Sequence, residues 1–291
     1  NSCTAAPVNG VDQRGLARNA NGNGGVTANE CDIGAFEAQS GTPPPVRAFF
    51  VSPATSGTVG TVAFTPADIL KYVPNAGWSM HFDGSDVGIT KNVSAFEVQA
   101  DNSILLSLVA SQAVAGAGVV APQDVIRFVP TATGPNTAGW FHMYLDGSMQ
   151  GLTTTAEKID ALGTTDQGYL AISTTGTASV VRLNGVIQKA QDEDALGFNP
   201  ATNGWWPYFD GTPVPGLAVE DVNALWVDPA TGDLYISILG TFNLGGVVGD
   251  GKDIVKLTPN GAGGYTPSLY WDGSAAAGRG GSRGATCSSP T

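Results

Sequence analysis

Residues 204–211 read Gly-Trp-Trp-Pro-Tyr-Phe-Asp-Gly, and this octet decides the fold because the chain repeats its ending. His81-Phe82-Asp83-Gly84, Tyr144-Leu145-Asp146-Gly147, Tyr208-Phe209-Asp210-Gly211 and Tyr270-Trp271-Asp272-Gly273 are four copies, with aspartates 63, 64 and 62 residues apart. A Gly-Trp step precedes the first three (Gly77-Trp78, Gly139-Trp140, Gly204-Trp205), and Gly264-Tyr265 stands in the fourth. Three more segments recur in the same order. An acid leads an apolar run at Asp68–Tyr72, Asp124–Phe128, Asp194–Phe198 and Asp253–Leu257. A run ends in serine at Ser52, Ser107, Ser173 and Ser237. A quartet appears as Val93-Ser94-Ala95-Phe96, Ile159-Asp160-Ala161-Leu162 and Val222-Asn223-Ala224-Leu225, with Ile33-Gly34-Ala35-Phe36 as its fourth copy.

Each repeat thus offers about four short strands rich in β-branched and aromatic residues, separated by Gly, Pro, Asn and Asp. Units of this length and content are the signature of propeller blades. The sequence therefore predicts an all-β protein, a β-propeller of four blades of four antiparallel strands. Closure into a ring would protect the sheet edges. An open row of blades, or half of a larger ring, is the rival arrangement. No long helix is expected, and the best short candidate, Thr155–Leu162, is assigned by the repeat to a strand. Asp228-Pro229-Ala230-Thr231-Gly232 reads as a turn between two strands.

Composition agrees. Gly (40) and Pro (18) make up about a fifth of the 291 residues, against a usual share nearer an eighth, while only 13% are charged and 42% hydrophobic. That excludes a coiled coil and argues against wholesale disorder. The net charge of −12 denies the chain the cationic footprint that nucleic acid or an anionic membrane requires. The charge reads as a solubility device. No apolar run is long enough to cross a bilayer as a helix, so no membrane insertion is expected. The absence of an initiator Met and of a signal peptide suggests a processed product or a piece of something longer.

Cys3, Cys31 and Cys287 fit no metal spacing. Cys3 and Cys31 flank a glycine-rich loop of 27 residues, where one crosslink gains about 3 kcal/mol or more in the chain-entropy model. A Cys3–Cys31 disulfide is predicted, which would place the chain in an oxidising compartment. Cys287 is left free or paired between chains. In the same stretch, Val11-Asp12-Gln13-Arg14-Gly15, Arg18 and Cys31-Asp32-Ile33-Gly34-Ala35-Phe36-Glu37 resemble the end of bacterial choice-of-anchor Q domain proteins. Those proteins are secreted or surface-attached and carry a right-handed parallel β-helix before this motif; that solenoid is missing here. The resemblance implies an extracellular, bacterial location and no catalytic residues. The expected organisation is a cap at 1–39 whose Ile33–Phe36 belongs to blade one as an inner or outer strand, a propeller at 40–274 and a Gly/Ser-rich tail at 275–291.

For chemistry, the repeated Asp83, Asp146, Asp210 and Asp272 are the first candidates. On a propeller they share one face and could ring a calcium ion, a hard cation that takes oxygen ligands. The competing reading, favoured here, is that each carboxylate bonds backbone amides of its own turn. Calcium is the one cofactor left open, and no metal ligand is assigned. His81 and His142 are the only bases for a nucleophilic triad, and His81 follows the repeat, as packing residues do. An active site should break the repeat, and no blade shows a convincing unmatched cluster. Gln188–Asp194 is a charged insertion read as a solvated loop. Trp78, Trp140 and Trp205 recur with the blade and are expected in packing. Trp206 and Trp226 do not recur and, if exposed, could stack on sugar rings. Asn92-Val93-Ser94 is a glycosylation sequon. The sequence is thus read as a non-enzymatic extracellular structural or adhesive protein, a self-assembling filament or sheath subunit. A glycan-binding propeller is the first alternative and a secreted hydrolase the second; self and glycans are the expected partners.

Overall fold

The structure, a computed structural model, describes residues 48–273. The Cys3–Cys31 pairing, the Ile33–Phe36 strand, Cys287 and the tail at 275–291 lie outside the described residues. The chain is all-β and forms a four-bladed propeller. Blade 1 comprises β1 (Phe49–Val51), a hairpin of β2 (Gly57–Val59) and β3 (Val62–Phe64), then β4 (Ile69–Val73) and β5 (Gly77–Phe82). Blade 2 runs through β6 (Val93–Val98), β7 (Ile104–Leu108), the hairpin β8 (Gln112–Val114) and β9 (Gly118–Val120), β10 (Val125–Ala132) and β11 (Ala138–Leu145). Blade 3 has β12 (Ile159–Thr164), β13 (Leu170–Thr174), the hairpin β14 (Ala178–Val181) and β15 (Ile187–Ala190), β16 (Ala195–Asn199) and β17 (Gly204–Phe209). Blade 4 has β18 (Val222–Val227), β19 (Leu234–Ile238), the hairpin β20 (Phe242–Leu244) and β21 (Val247–Gly249), β22 (Ile254–Pro259) and β23 (Tyr265–Trp271).

Strand order inside each sheet follows the repeat: β6-β7-β10-β11, β12-β13-β16-β17 and β18-β19-β22-β23, with β1-β4-β5 as the described part of blade 1. The recurring quartets supply β6, β12 and β18, which pack against one another around the axis. The serine-ended runs form β7, β13 and β19, buried along their whole length because neighbouring blades cover both faces. That is why they read as unbroken apolar stretches rather than as alternation.

Four apolar clusters hold the blades together, one per interface. Phe50, Ile69 and Phe82 meet Phe96, Leu106 and Phe128 between blades 1 and 2. Leu105 and Leu145 meet Leu162, Ile172 and Trp205 between blades 2 and 3. Ala161 and Phe209 meet Leu225, Ile236 and Leu257 between blades 3 and 4. The last cluster joins Trp226, Tyr235 and Ile254 of blade 4 to Phe49, Val51 and Leu70 of blade 1, which closes the ring. The open row is thereby discarded.

The blades are four-stranded antiparallel sheets as expected, three of them complete within the described residues, and every repeat adds a two-stranded hairpin between its second and third blade strands. Two local expectations change. Gln188–Asp194 is not simply a solvated loop: Gln188–Ala190 lies in β15, and Glu193 is buried, its carboxylate accepting from Thr212 Oγ1 at 3.1 Å. Trp140 is not a packing residue. In blades 1 and 3 the Gly-Trp tryptophan sits opposite the aromatic of the preceding strand, as Tyr72↔Trp78 and Phe198↔Trp205. In blade 2 the longer β10–β11 hairpin moves the register by one, so Phe141 faces Phe128 and Trp140 faces Val129. A one-residue slip swaps the faces of a strand; Trp140 is 55% exposed while Phe141 is buried.

Candidate functional site

Three of the repeated aspartates bond within their own turns. Asp83 Oδ1 accepts from Ser85 N (3.1 Å) and Ser85 Oγ (2.7 Å). Asp146 Oδ1 accepts from Ser148 Oγ (2.7 Å) and Met149 N (3.1 Å), and Asp210 Oδ1 from Thr212 N (3.0 Å). Asp272, in the fourth copy, is exposed. The structure does not bring the four into one cluster: among the described residues no three His, Cys, Asp or Glu converge in a metal-binding group.

The glycine of each Asp-Gly step has a role that sequence reasoning missed. Its N–H donates to the aspartate that leads the preceding blade strand: Gly84 to Asp68 (3.0 Å), Gly147 to Asp124 (2.9 Å), Gly211 to Asp194 (2.9 Å) and Gly273 to Asp253 (3.0 Å). The other carboxylate oxygen accepts from the amide three residues earlier, at Thr65, Ala121, Gln191 and Asp250 (2.7–2.8 Å). A Cβ on any of these glycines would come under 3.0 Å from the carbonyl oxygen of Ala67, Gln123, Glu193 or Lys252. Close approach, not positive φ, demands glycine here; Gly84 and Gly147 have φ of −64° and −62°.

The polar side chains without partners gather elsewhere, at one end of the propeller axis. A cavity of about 360 Å³ opens there between the starts of β6, β12 and β18 and the segments following β1, β7, β13 and β19. Ala54, Val109, Thr175 and Leu239, equivalent in the four repeats, line it. So do two sets from the quartet region: Asn92, Lys158 and Asp221, and Ser94, Asp160 and Asn223. Ser52 Oγ, Ser94 Oγ, Asp160 Oδ1, Asp221 Oδ1 and Asn223 Oδ1 are all buried without a hydrogen-bond partner. They are five of the eight such side-chain atoms among the described residues. The Asp160 and Asp221 carboxyls hydrogen-bond each other. Burial, then the neighbouring Asp221, pushes the Asp160 carboxyl well above the ordinary range. Burial and the Asp192 charge raise Asp221 as well.

A signal for this site lies in the repeat. The second quartet position changes from Ser94 to Asp160 to Asn223 within an otherwise apolar motif, and Asn92, Lys158 and Asp221 vary just ahead of it. Each of the three blades carries two such polar positions, and ring closure brings the three pairs together.

Glu97 lines a smaller cavity of about 260 Å³ at the other ends of the same strands, together with Thr164, Asp166 and Trp226. Burial raises its carboxyl well above the ordinary range, and its Oε2 has no partner. Trp226 is 6% exposed and packs on Tyr235, ring centroids 5.0 Å apart, inside the cluster that closes the ring. Little of its surface is left for a ligand. Trp206 is different: half-buried, it lies against the backbone of Gly197, its partner across β16–β17, where a Cβ would strike the indole. Tyr169 meets it edge-on at 5.6 Å and 83°. The pair borders a groove of about 620 Å³ with Gln167, Arg182, Asn184 and Asn199 on its walls. His81 packs against Phe50 at 4.5 Å, its Nε2 unpartnered, and His142 is exposed on β11.

No protein-family model matches the chain, and no curated protein does. Among solved structures, one described as "YCF48 bound to D1 peptide" is similar at 9% identity and a TM-score of 0.32, over 71% of this chain and 48% of that one. The extracellular domain of the putative one component system BT4673 from B. thetaiotaomicron is similar at 11% identity and a TM-score of 0.34, over 89% of this chain and 32% of that one. The chain spans less than half the length of either structure. Among the described residues no helix is long and apolar enough to cross a membrane.

Proposed function

We propose that this protein works by binding rather than by turnover, as an adhesive propeller of a bacterial extracellular surface that recognises glycans along the outer margin of blade 3. The observation that carries the reading is the Trp206 groove. An indole held flat on a strand by Gly197, with Tyr169 at its edge, offers an apolar plane of the kind a sugar ring stacks on. Arg182, Asn184, Gln167 and Asn199 surround it with donors and acceptors suited to hydroxyl groups. The extracellular location rests on the choice-of-anchor resemblance and the cysteine spacing of the first forty residues. A glycan array tests the reading. Wild type should bind at least one glycan class, and Trp206→Ala should lose it by about tenfold or more, some 1.4 kcal/mol. A silent wild type, or binding indifferent to Trp206, removes the groove from the account.

A second reading, a self-assembling filament or sheath subunit, is favoured by the hairpin β14–β15. Val181, Leu183, Val186 and Ile187 stand 54–70% exposed there, a grouping that marks association surfaces. Head-to-tail contacts that do not close make fibres. Light scattering and electron microscopy decide it: concentration-dependent growth abolished by Leu183→Asp supports assembly, and a strictly monomeric particle ends it.

A further inference from the structure

Besides the bond between the Asp160 and Asp221 carboxyls, the axial cavity presents five oxygen atoms without a hydrogen-bond partner. Asp160 is 8% exposed, and its Oδ1 has no partner. Asp221 Oδ1, Asn223 Oδ1, Ser94 Oγ and Ser52 Oγ are unpartnered in the same cavity. Buried acceptors left without donors are costly, so native proteins rarely keep several in one place unless something outside the chain satisfies them. All five atoms are oxygens: two carboxylate, one amide and two hydroxyl. Sulfur and imidazole, which zinc and copper favour, are missing from the set. Hard cations take this kind of oxygen mixture, and calcium tolerates its irregular geometry and leaves room for waters.

We propose that the axial cavity is a binding site for one divalent hard cation, calcium by chemistry, held by Asp160, Asp221 and Asn223 with hydroxyl support from Ser94 and Ser52. The charge balance favours it. The carboxyls of Asp160 and Asp221 line the cavity against a single cation on its wall, Lys158. The ligands come from blades 1, 2, 3 and 4, so the ion would tie the ring across its axis. This site is separate from the Trp206 groove on the margin of blade 3, and neither proposal depends on the other.

The test uses the full chain stripped with a chelator. Calcium titration by calorimetry, with terbium luminescence as a second probe, should show one saturable site, and calcium should raise the melting temperature. Asp160→Asn with Asp221→Asn keeps the shapes while removing both charges. That variant should bind calcium more weakly by more than the roughly 10–100-fold that loss of an outer-shell partner costs. Its metal-free melting temperature should stay at or above that of wild type, which shows that it folds. Asp146→Asn and Trp206→Ala should bind calcium as wild type does. The proposal is overturned if stripped wild type shows neither heat nor luminescence, if the double variant binds equally well, or if Asp146→Asn is the variant that loses the ion.

Discussion

At the scale of single residues, the two aspartates of each repeat divide their work. Asp124 is buried and ties Gly147 N and Ala121 N together across a turn, whereas Asp146 is exposed and bonds only its own turn. Asp124→Ala should therefore cost about 2–6 kcal/mol, since it strands the buried Gly147 amide and the half-buried Ala121 amide at roughly 1–3 kcal/mol each. Asp146→Ala should stay within about 1 kcal/mol. Urea unfolding of the two variants measures the contrast, and equal effects would contradict this division. His81 makes a separate case. Burial and the Lys71 charge lower its pKa to about 4, so the folded chain holds it neutral while the unfolded chain protonates it near 6.5. The stability it carries is complete above pH 6.5 and drains away as pH falls through 4, by about 3 kcal/mol in all. His81→Tyr, the residue of the other three copies, removes this titration. The difference in unfolding free energy between variant and wild type should then grow in the variant's favour from pH 6.5 to 4; a flat difference would mean that His81 is not held neutral.

At the scale of elements, sequence similarity marked the strands but not every register. The Asp-Gly steps, serine-ended runs and quartets were legible because each answers one fixed demand of the blade: a carboxylate clamp with close backbone approach, a strand covered on both faces, and an axial strand. The Gly-Trp step was misleading in blade 2, because hairpin length rather than residue type decides which aromatic faces inward. Phe141→Ala should cost about 3–5 kcal/mol and Trp140→Ala only about 0.5 kcal/mol, despite the match of Trp140 to the repeat. Thermal denaturation of the two variants checks this, and the reverse ranking would refute the register. The additional hairpins went unread because their pairs of short apolar runs, such as Gln112–Val114 and Gly118–Val120, share little sequence from blade to blade. The axial pair Asp160 and Asp221 was hidden for another reason. Each residue sits in a different repeat beside one other polar deviation, Lys158 or Asn223, and only the curvature of the ring places the two carboxyls together.

At the scale of the whole molecule, ring closure gives the chain both its stability and its axial cavity. The interface of blades 4 and 1 joins segments far apart in sequence, with Phe49 packed against Trp271 at 4.8 Å and Trp226 in the same cluster. An open row would leave its two end blades each with one apolar flank uncovered, and those blades would open locally at low free energy. Native-state hydrogen exchange resolves this directly. For a closed ring, amides of β4 in blade 1 and β22 in blade 4 should be protected as strongly as those of β10 and β16, all opening with the global unfolding free energy. If β4 and β22 exchange orders of magnitude faster than β10 and β16, the ring is not closed in solution, and the axial site built upon it does not exist.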